Sequence, residues 1–272
     1  MTRAVRGGTR VAGVIGDPIA HSRSPQIHNA GYAALGLDWV FVAFPTPLGR
    51  GAAALDAMRA LGIAGLSVTM PHKHDAVGAC DELSERSKLL GVVNTVCNRD
   101  GNLVGDSTDG EGFLRALADA GGTVPDADVV VLGAGGAARA IVHALGAAGA
   151  RVTVVARRTD AAAAAAALAG GNSAAIESLD EMLAGCDVLV NATPLGMQGE
   201  DVPVTAAALA GVRLVFDTVY APEETPLVAR AKAGGISAVN GIGMLVHQAA
   251  LAFEMFTGHP GPIDAMRDAA TS

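Results

Sequence analysis

The sequence predicts an α/β protein of two domains, the second a doubly wound parallel sheet, on three observations. Half of its 272 residues are apolar, enough to bury a core larger than a single domain of ordinary size requires. Short β-like runs alternate with helical stretches from Val11 onward. Between Asp128 and Ala156 a strand, a glycine turn, a helix and a second strand succeed one another, which is a βαβ unit.

Taken in order, the expected strands of the first part are Val11 to Ile15, Val40 to Phe44 and Gly65 to Thr69, with helices over Gln26 to Leu35 and Ala52 to Leu61. Asp109 to Ala120 reads as a helix capped by Ser107, Thr108 or Asp109 and ended by Gly121-Gly122, and a domain boundary is placed at its start. The βαβ unit consists of a strand Asp128 to Leu132, a helix through about Ala148, and a strand Arg151 to Ala156. The alanine run Ala161 to Ala167 predicts a helix without bulk, exposed or thinly packed. Strands at Asp187 to Asn191 and Leu214 to Thr218 continue the sheet, and a last helix runs from Gly241 through Phe256, with Met255 and Phe256 as packing residues. One domain is thus expected to hold residues 1–108 plus 240–272, and the other residues 109–239.

A net charge of −8 argues against a nucleic-acid surface, which needs clustered Lys and Arg, and favours small-molecule chemistry. Cys80, Cys97 and Cys186 are odd in number and widely spaced, so they read as reduced thiols of a cytoplasmic protein. The amino terminus carries Arg3, Arg6 and Arg10 but only a strand's length of apolar residues, and no run is long enough for a membrane span.

The segment VVVLGAGGAARA places Gly133, Gly135, Gly136 and Ala138 between an apolar strand and a helix, in the G-x-G-x-x-A order of a Rossmann-like nucleotide site. Gly133 makes the tight turn, Gly135 lets backbone approach a pyrophosphate, and Ala138 permits close helix packing. An acid that would bind the ribose hydroxyls of NAD is missing about twenty residues on. Arg157 and Arg158 stand there instead, suited to a 2′-phosphate, so NADP is the expected cofactor; the bland alternative is two solvated arginines at a strand end.

Other polar residues close apolar stretches. In GDPIAHSRSPQIHN, Ser22 and Ser24 precede a predicted helix and read as a capping segment whose hydroxyls and free N–H groups suit a carboxylate. GLSVTMPHK presents Thr69 and Lys73 at a strand's carboxyl end, although a single lysine there is usually only solvated. Asn94 and Thr95 in GVVNTV, and Asp109 in GDSTDGEGF, read by spacing as turn residues. His72 and His74 flank Lys73 without a third ligand at metal-binding spacing, and read as solvated turn histidines; no metal is expected.

In their order, and with NATPLGM (191–197), DTVYAPEETPL (217–227) and GIGMLVHQAALAFEMFTG (241–258), these segments resemble the shikimate dehydrogenase family over almost the whole chain. The resemblance implies an oxidoreductase of the shikimate pathway to the aromatic amino acids, reducing 3-dehydroshikimate to shikimate with NADPH. It also implies roles: Ser22 and Ser24 on the substrate carboxylate with Tyr220 near it; Thr69, Asn94 and Gln248 on the ring hydroxyls; Lys73 and Asp109 in catalysis; Gly241 and Met244 lining the nicotinamide. Negative charge that builds on a reduced ketone oxygen needs a proton donor, a task that suits a lysine ammonium held by an aspartate. The chain departs from the family pattern at Ser67 and Ser107, where Asn is usual, at Ala156-Arg157-Arg158 for Asn-Arg-Thr, and at Ala161 for Arg. These departures bear on substrate and cofactor, and the rival readings are an NAD-preferring quinate/shikimate or aminoshikimate dehydrogenase and a non-catalytic nucleotide-binding relative. A monomer or homodimer is expected.

Overall fold

The computed structural model describes residues 4–272, so Arg3 lies outside the described residues. The chain divides into two compact units, one ending at Thr108 and resuming at Leu245–Ser272, the other formed by Asp109–Met244.

The first unit opens with β1 (Arg10–Gly16), α1 (Ser24–Ala34), β2 (Trp39–Pro45), α2 (Gly51–Leu61) and β3 (Gly65–Val68). Then come α3 (Asp75–Ala79), β4 (Glu82–Leu83), α4 (Glu85–Leu90), β5 (Thr95–Arg99) and β6 (Asn102–Asp106). Its strands lie in the order β2-β1-β3-β5-β6-β4; β1 pairs with β2 and β3 in parallel, and β5 is antiparallel to both β3 and β6. One face buries Ile15, Leu66 and Val68 against Leu55 and Met58 of α2. On β2, the edge strand, the N–H and C=O of Phe41 are both bonded at 2.9 Å to the Asn29 carboxamide of α1, which occupies a rung an incoming strand would use.

The second unit runs α5 (Asp109–Asp119), β7 (Asp128–Leu132), α6 (Gly136–Ala147), β8 (Arg151–Ala156), α7 (Thr159–Ala166) and β9 (Asn172–Ala175). It continues with α8 (Leu179–Met182), β10 (Val188–Asn191), α9 (Ala206–Leu209), β11 (Leu214–Asp217), α10 (Pro226–Ala233) and β12 (Ser237–Val239). The strand order β12-β11-β10-β7-β8-β9, all parallel, is the doubly wound arrangement, with β7 and β10 at the switch point where the winding reverses. Alternate residues bury on opposite faces: Val129, Val131, Val152 and Val154 on one, Val130, Leu132, Val155 and Leu189 on the other. Covered on both sides, these strands read as unbroken apolar runs.

Several features differ from the sequence expectation. Helix α11 (Ile242–Thr257) is followed by α12 (Ile263–Thr271) and so is not the last. The units change inside α11, after Met244 and not at residue 240, because Met244 is buried in the second unit's core with Phe113 and Phe216. The alanine helix α7 is not thinly packed: Ala162 and Ala165 are fully buried, their small side chains letting the helix lie close to the sheet. Strands β9 and β12 extend the second sheet beyond the segments expected.

The other face of the first sheet rests on rings. His28 of α1 stacks on Phe41 with centroids 4.1 Å apart, and lies 5.9 Å from the ring of Phe256 of α11, which itself covers Gly65. Neither nitrogen of this imidazole has a hydrogen-bond partner among the described residues, and burial pushes its pKa down to about 3. The unfolded chain binds a proton at this histidine that the folded one does not. Stability should therefore be intact above about pH 6.5 and fall as pH drops toward 3, by at most about 1.4 kcal/mol per pH unit for this group. In urea titrations between pH 4 and 7, His28→Phe should flatten that slope; an unchanged slope would assign it to other groups.

Candidate active site

Because β1, β2 and β3 are parallel and β5 is antiparallel to β3, one edge of the first sheet collects three strand ends and the start of β5, and the end of β6 joins them. Loops at this edge must supply hydrogen bonds that the ladder no longer provides. The Thr69 N–H donates to the Ile15 carbonyl at 3.0 Å, and the Asp17 N–H to the Met70 carbonyl at 3.1 Å. Only a glycine fits at position 16, where an added Cβ would lie 2.5 Å from Thr69 Cγ2. Past β1, the half-buried Ser22 accepts at Oγ from the Ser24 N–H at 3.3 Å, and the buried Ser24 opens α1, which has Pro25 in its first turn and no side-chain cap.

Asn94 and Thr95 are not turn residues but buried, Thr95 as the first residue of β5. The Asn94 carbonyl oxygen Oδ1 accepts from the Thr108 N–H at 2.8 Å and the Thr95 hydroxyl at 2.9 Å. Its Nδ2 donates to Thr108 Oγ1 at 2.9 Å and to Gln248 Oε1 of α11 at 3.4 Å. Gln248 is oriented in turn by donating from Nε2 to the Leu245 carbonyl at 2.7 Å. Lys73 is half-buried, and its carbonyl accepts from the Val93 N–H, next to Asn94, at 2.9 Å. Ser67 faces Thr95 in the β3–β5 register, and the buried Ser107 hydroxyl has no partner among the described residues. His72 is fully buried and not solvated; His74 is exposed.

In the second unit Gly133 has φ +114, and a Cβ there would meet the Ala192 carbonyl at 2.9 Å, so only glycine allows this turn. Above Gly135 a Cβ would touch nothing within 4 Å, and α6, starting at Gly136, has no side-chain cap. Free N–H groups, open space and a helix dipole at the switch point fit a dinucleotide pyrophosphate. Ala138 is fully buried, packing α6 on the sheet. Arg157 and Arg158, just past β8, are exposed, and neither guanidinium has a partner among the described residues, which fits an anion to be bound.

Asp109, buried, opens α5, where the next residue, Gly110, brings the helix so near α6 that a Cβ would lie 2.6 Å from the Ala140 carbonyl. Gly110 thereby places Asp109 relative to the glycine turn. Tyr220, half-buried, and Gly241 and Met244, both buried, belong to this second unit. Gly241 lies against Thr218, a Cβ there falling 2.0 Å from its carbonyl oxygen, and its N–H donates to the Val219 carbonyl at 3.0 Å.

Two residues escaped the sequence reading. The buried Asp217 accepts from Thr225 Oγ1 at 2.6 Å, Asn191 Nδ2 at 2.9 Å and the Val219 N–H at 3.0 Å. The buried Asn191 accepts from the Thr193 hydroxyl at 2.6 Å and donates to the Leu195 carbonyl at 3.0 Å. Burial raises the Asp217 pKa against the three donors that lower it. The signal was an Asn and an Asp each closing an apolar strand. Among the described residues no three His, Cys, Asp or Glu side chains gather as a metal site, and no helix is long and apolar enough to cross a membrane.

A doubly wound sheet with a glycine turn and an uncapped helix at its switch point defines the dinucleotide-binding class of α/β proteins. Family models match along the chain: "Shikimate dehydrogenase substrate binding domain" over residues 14–96, "Shikimate / quinate 5-dehydrogenase" over 116–197 and "Shikimate 5'-dehydrogenase C-terminal domain" over 241–271. A shikimate dehydrogenase (NADP(+)) of Symbiobacterium thermophilum is 42% identical over 278 residues, covering 97% of this chain and 95% of the relative. The crystal structure of shikimate 5-dehydrogenase from Thermus thermophilus in complex with NADP(H) and shikimate is 35% identical, with a TM-score of 0.88 over 96% of this chain and 98% of that one. Quinate dehydrogenase from Corynebacterium glutamicum in complex with NAD is 31% identical, with a TM-score of 0.87 over 96% and 98%. The chain belongs to the shikimate dehydrogenase family.

Asp217→Ala would leave three buried donors without an acceptor, and should cost about 3 kcal/mol of stability in urea unfolding. A cost under about 1 kcal/mol would mean that water replaces the carboxylate.

Proposed function

We propose that this chain catalyses the NADP-dependent, reversible reduction of 3-dehydroshikimate to shikimate in aromatic amino acid biosynthesis, the first unit holding the substrate and the second the cofactor. The observation that carries the reading is the convergence, on one edge of the first sheet, of the Lys73 turn with the Asn94, Thr108 and Gln248 network. Such an edge offers a hydroxylated ring several fixed donors and acceptors beside the turn that carries Lys73.

Bound NADPH supplies the hydride. Ser22 and Ser24 hold the substrate carboxylate at the start of α1, with Tyr220 near it, and Thr69, Asn94 and Gln248 bind the ring hydroxyls. Lys73 gives a proton to the ketone oxygen, and Asp109 accepts from a substrate hydroxyl. Gly133, Gly135, Gly136 and Ala138 shape the pyrophosphate cradle, Arg157 and Arg158 take the 2′-phosphate, and Gly241 and Met244 border the nicotinamide. The enzyme works in the cytoplasm, as a monomer or homodimer. Similarity to a quinate dehydrogenase bound to NAD supports a second reading, an NAD-preferring enzyme of quinate or shikimate.

Initial rates on shikimate and quinate with each nicotinamide cofactor separate the two, and the expected result is fastest turnover with shikimate and NADP. Lys73→Ala should lower turnover by about two to four orders of magnitude while leaving substrate affinity much less affected; near-normal turnover would remove Lys73 from the chemistry. Ser22→Ala should mainly raise the Michaelis constant, since its contact is present in ground and transition states alike, and a pure turnover defect would contradict a binding role.

A further inference from the structure

A fully buried histidine sits beside the lysine to which the proposed function gives the proton. His72 is 0% exposed, in a turn that hydropathy alone would leave in water. A polar ring is buried at little cost only where its nitrogens are bonded. Its Nε2 lies 2.7 Å from the Thr46 carbonyl just past β2, and Nδ1 lies 3.3 Å from Asp75 Oδ2. A carbonyl and a carboxylate both only accept, so Nε2, which makes the shorter contact, carries a hydrogen, and the Thr46 bond sets the ring's orientation.

The anchor at the far end is itself fixed. The Thr46 N–H donates to the Gly16 carbonyl at 3.0 Å and its hydroxyl to the Phe44 carbonyl at 3.0 Å. Gly51, the first residue of α2, closes over the pair: a Cβ there would lie 3.0 Å from Nδ1 and 3.1 Å from Asp75 Oδ2. On the turn itself, the His72 N–H donates to the Thr69 carbonyl at 2.9 Å, and the Lys73 carbonyl accepts from the Val93 N–H at 2.9 Å. The imidazole thus ties the Lys73 turn to the end of β2, while Val93 holds it toward β5.

We propose that His72 is a positioning residue for Lys73, its Nε2–H bond to the Thr46 carbonyl fixing the backbone from which the lysine amine is delivered. The inference rests on the reading of Lys73 as proton donor. Support of this kind matters because misplacing a reacting group by about 1 Å costs on the order of a hundredfold in rate.

The test compares His72→Phe, His72→Gln and His72→Asn in the full chain, each checked for folding by thermal unfolding. A glutamine amide reaches the position of Nε2, whereas an asparagine amide reaches only that of Nδ1. His72→Phe should lower kcat by about tenfold to a hundredfold with the KM for NADPH within about twofold, and His72→Gln should recover most of kcat where His72→Asn does not. In parallel, an amine-reactive reagent at fixed pH, read by peptide mass spectrometry, should label Lys73 at a changed rate in His72→Phe and at the wild-type rate in His72→Gln. If His72→Phe does not fold, the Gln and Asn variants carry the same comparison. Wild-type kcat and labelling in the folded His72 variants, with turnover lost in Lys73→Ala, would overturn the positioning role and leave the lysine reading standing. Rescue by Asn but not Gln would overturn the Thr46 anchor. Full turnover in Lys73→Ala would remove the lysine reading instead, and the labelling rates alone would then decide whether His72 holds that amine.

Discussion

Where a strand of a parallel sheet ends, its last N–H and C=O groups leave the ladder and need other partners in surroundings with little water. Both units answer this demand with polar side chains carried into the interior at the sheet edge. In the first, Asn94 takes the Thr108 N–H and His72 takes the Thr46 carbonyl; in the second, Asp217 takes the Val219 N–H and Asn191 the Leu195 carbonyl. Each of these groups is held by partners of its own, so the loops that follow the strands are fixed at both ends. A site built on such loops has the orientation that binding and proton transfer require.

Apolar packing makes that edge dependable, and it does so with small residues. Only 3% of the chain is aromatic, and 35 residues are glycine. Cores are closed by bringing backbone near backbone, as where Gly110 of α5 meets the Ala140 carbonyl of α6, or where the alanines of α7 lie on the second sheet. Most of the large rings lie in the first unit, where Phe256 fills the space above Gly65 and His28 stacks on Phe41. At such contacts an added methyl group must displace backbone, which is why Asp109, next to Gly110, has little freedom to move.

Local signals read well along the chain. The βαβ unit was plain because apolar runs, the glycine turn and the helix spacing all lie within about thirty residues of one another. The β5–β6 hairpin also had a local signal, Asp100-Gly101, which takes φ 53 and φ 92 between the two strands, yet it was missed. Strands β9 and β12 went unseen for a different reason. Asn172–Ala175 and Ser237–Val239 are short and polar or small, and only the ladder beside them makes them strands.

By itself the sequence determined the α/β class, the doubly wound second half, the glycine turn and the residue types available for chemistry, since these follow from periodicity and backbone freedom over short distances. Tertiary structure alone decided which polar residues are buried and where the second unit ends. Asn94 reads as a turn residue and His72 as a solvated one because polarity beside Gly and Pro signals a loop, and nothing nearby in sequence reveals a partner such as Gln248, on another element. Gly241 and Met244 join the second unit for the same reason, as their neighbours Thr218 and Phe216 are close only once the sheet has formed. Burial and hydrogen bonding between distant segments are properties of the assembled edge, which no stretch of the chain contains.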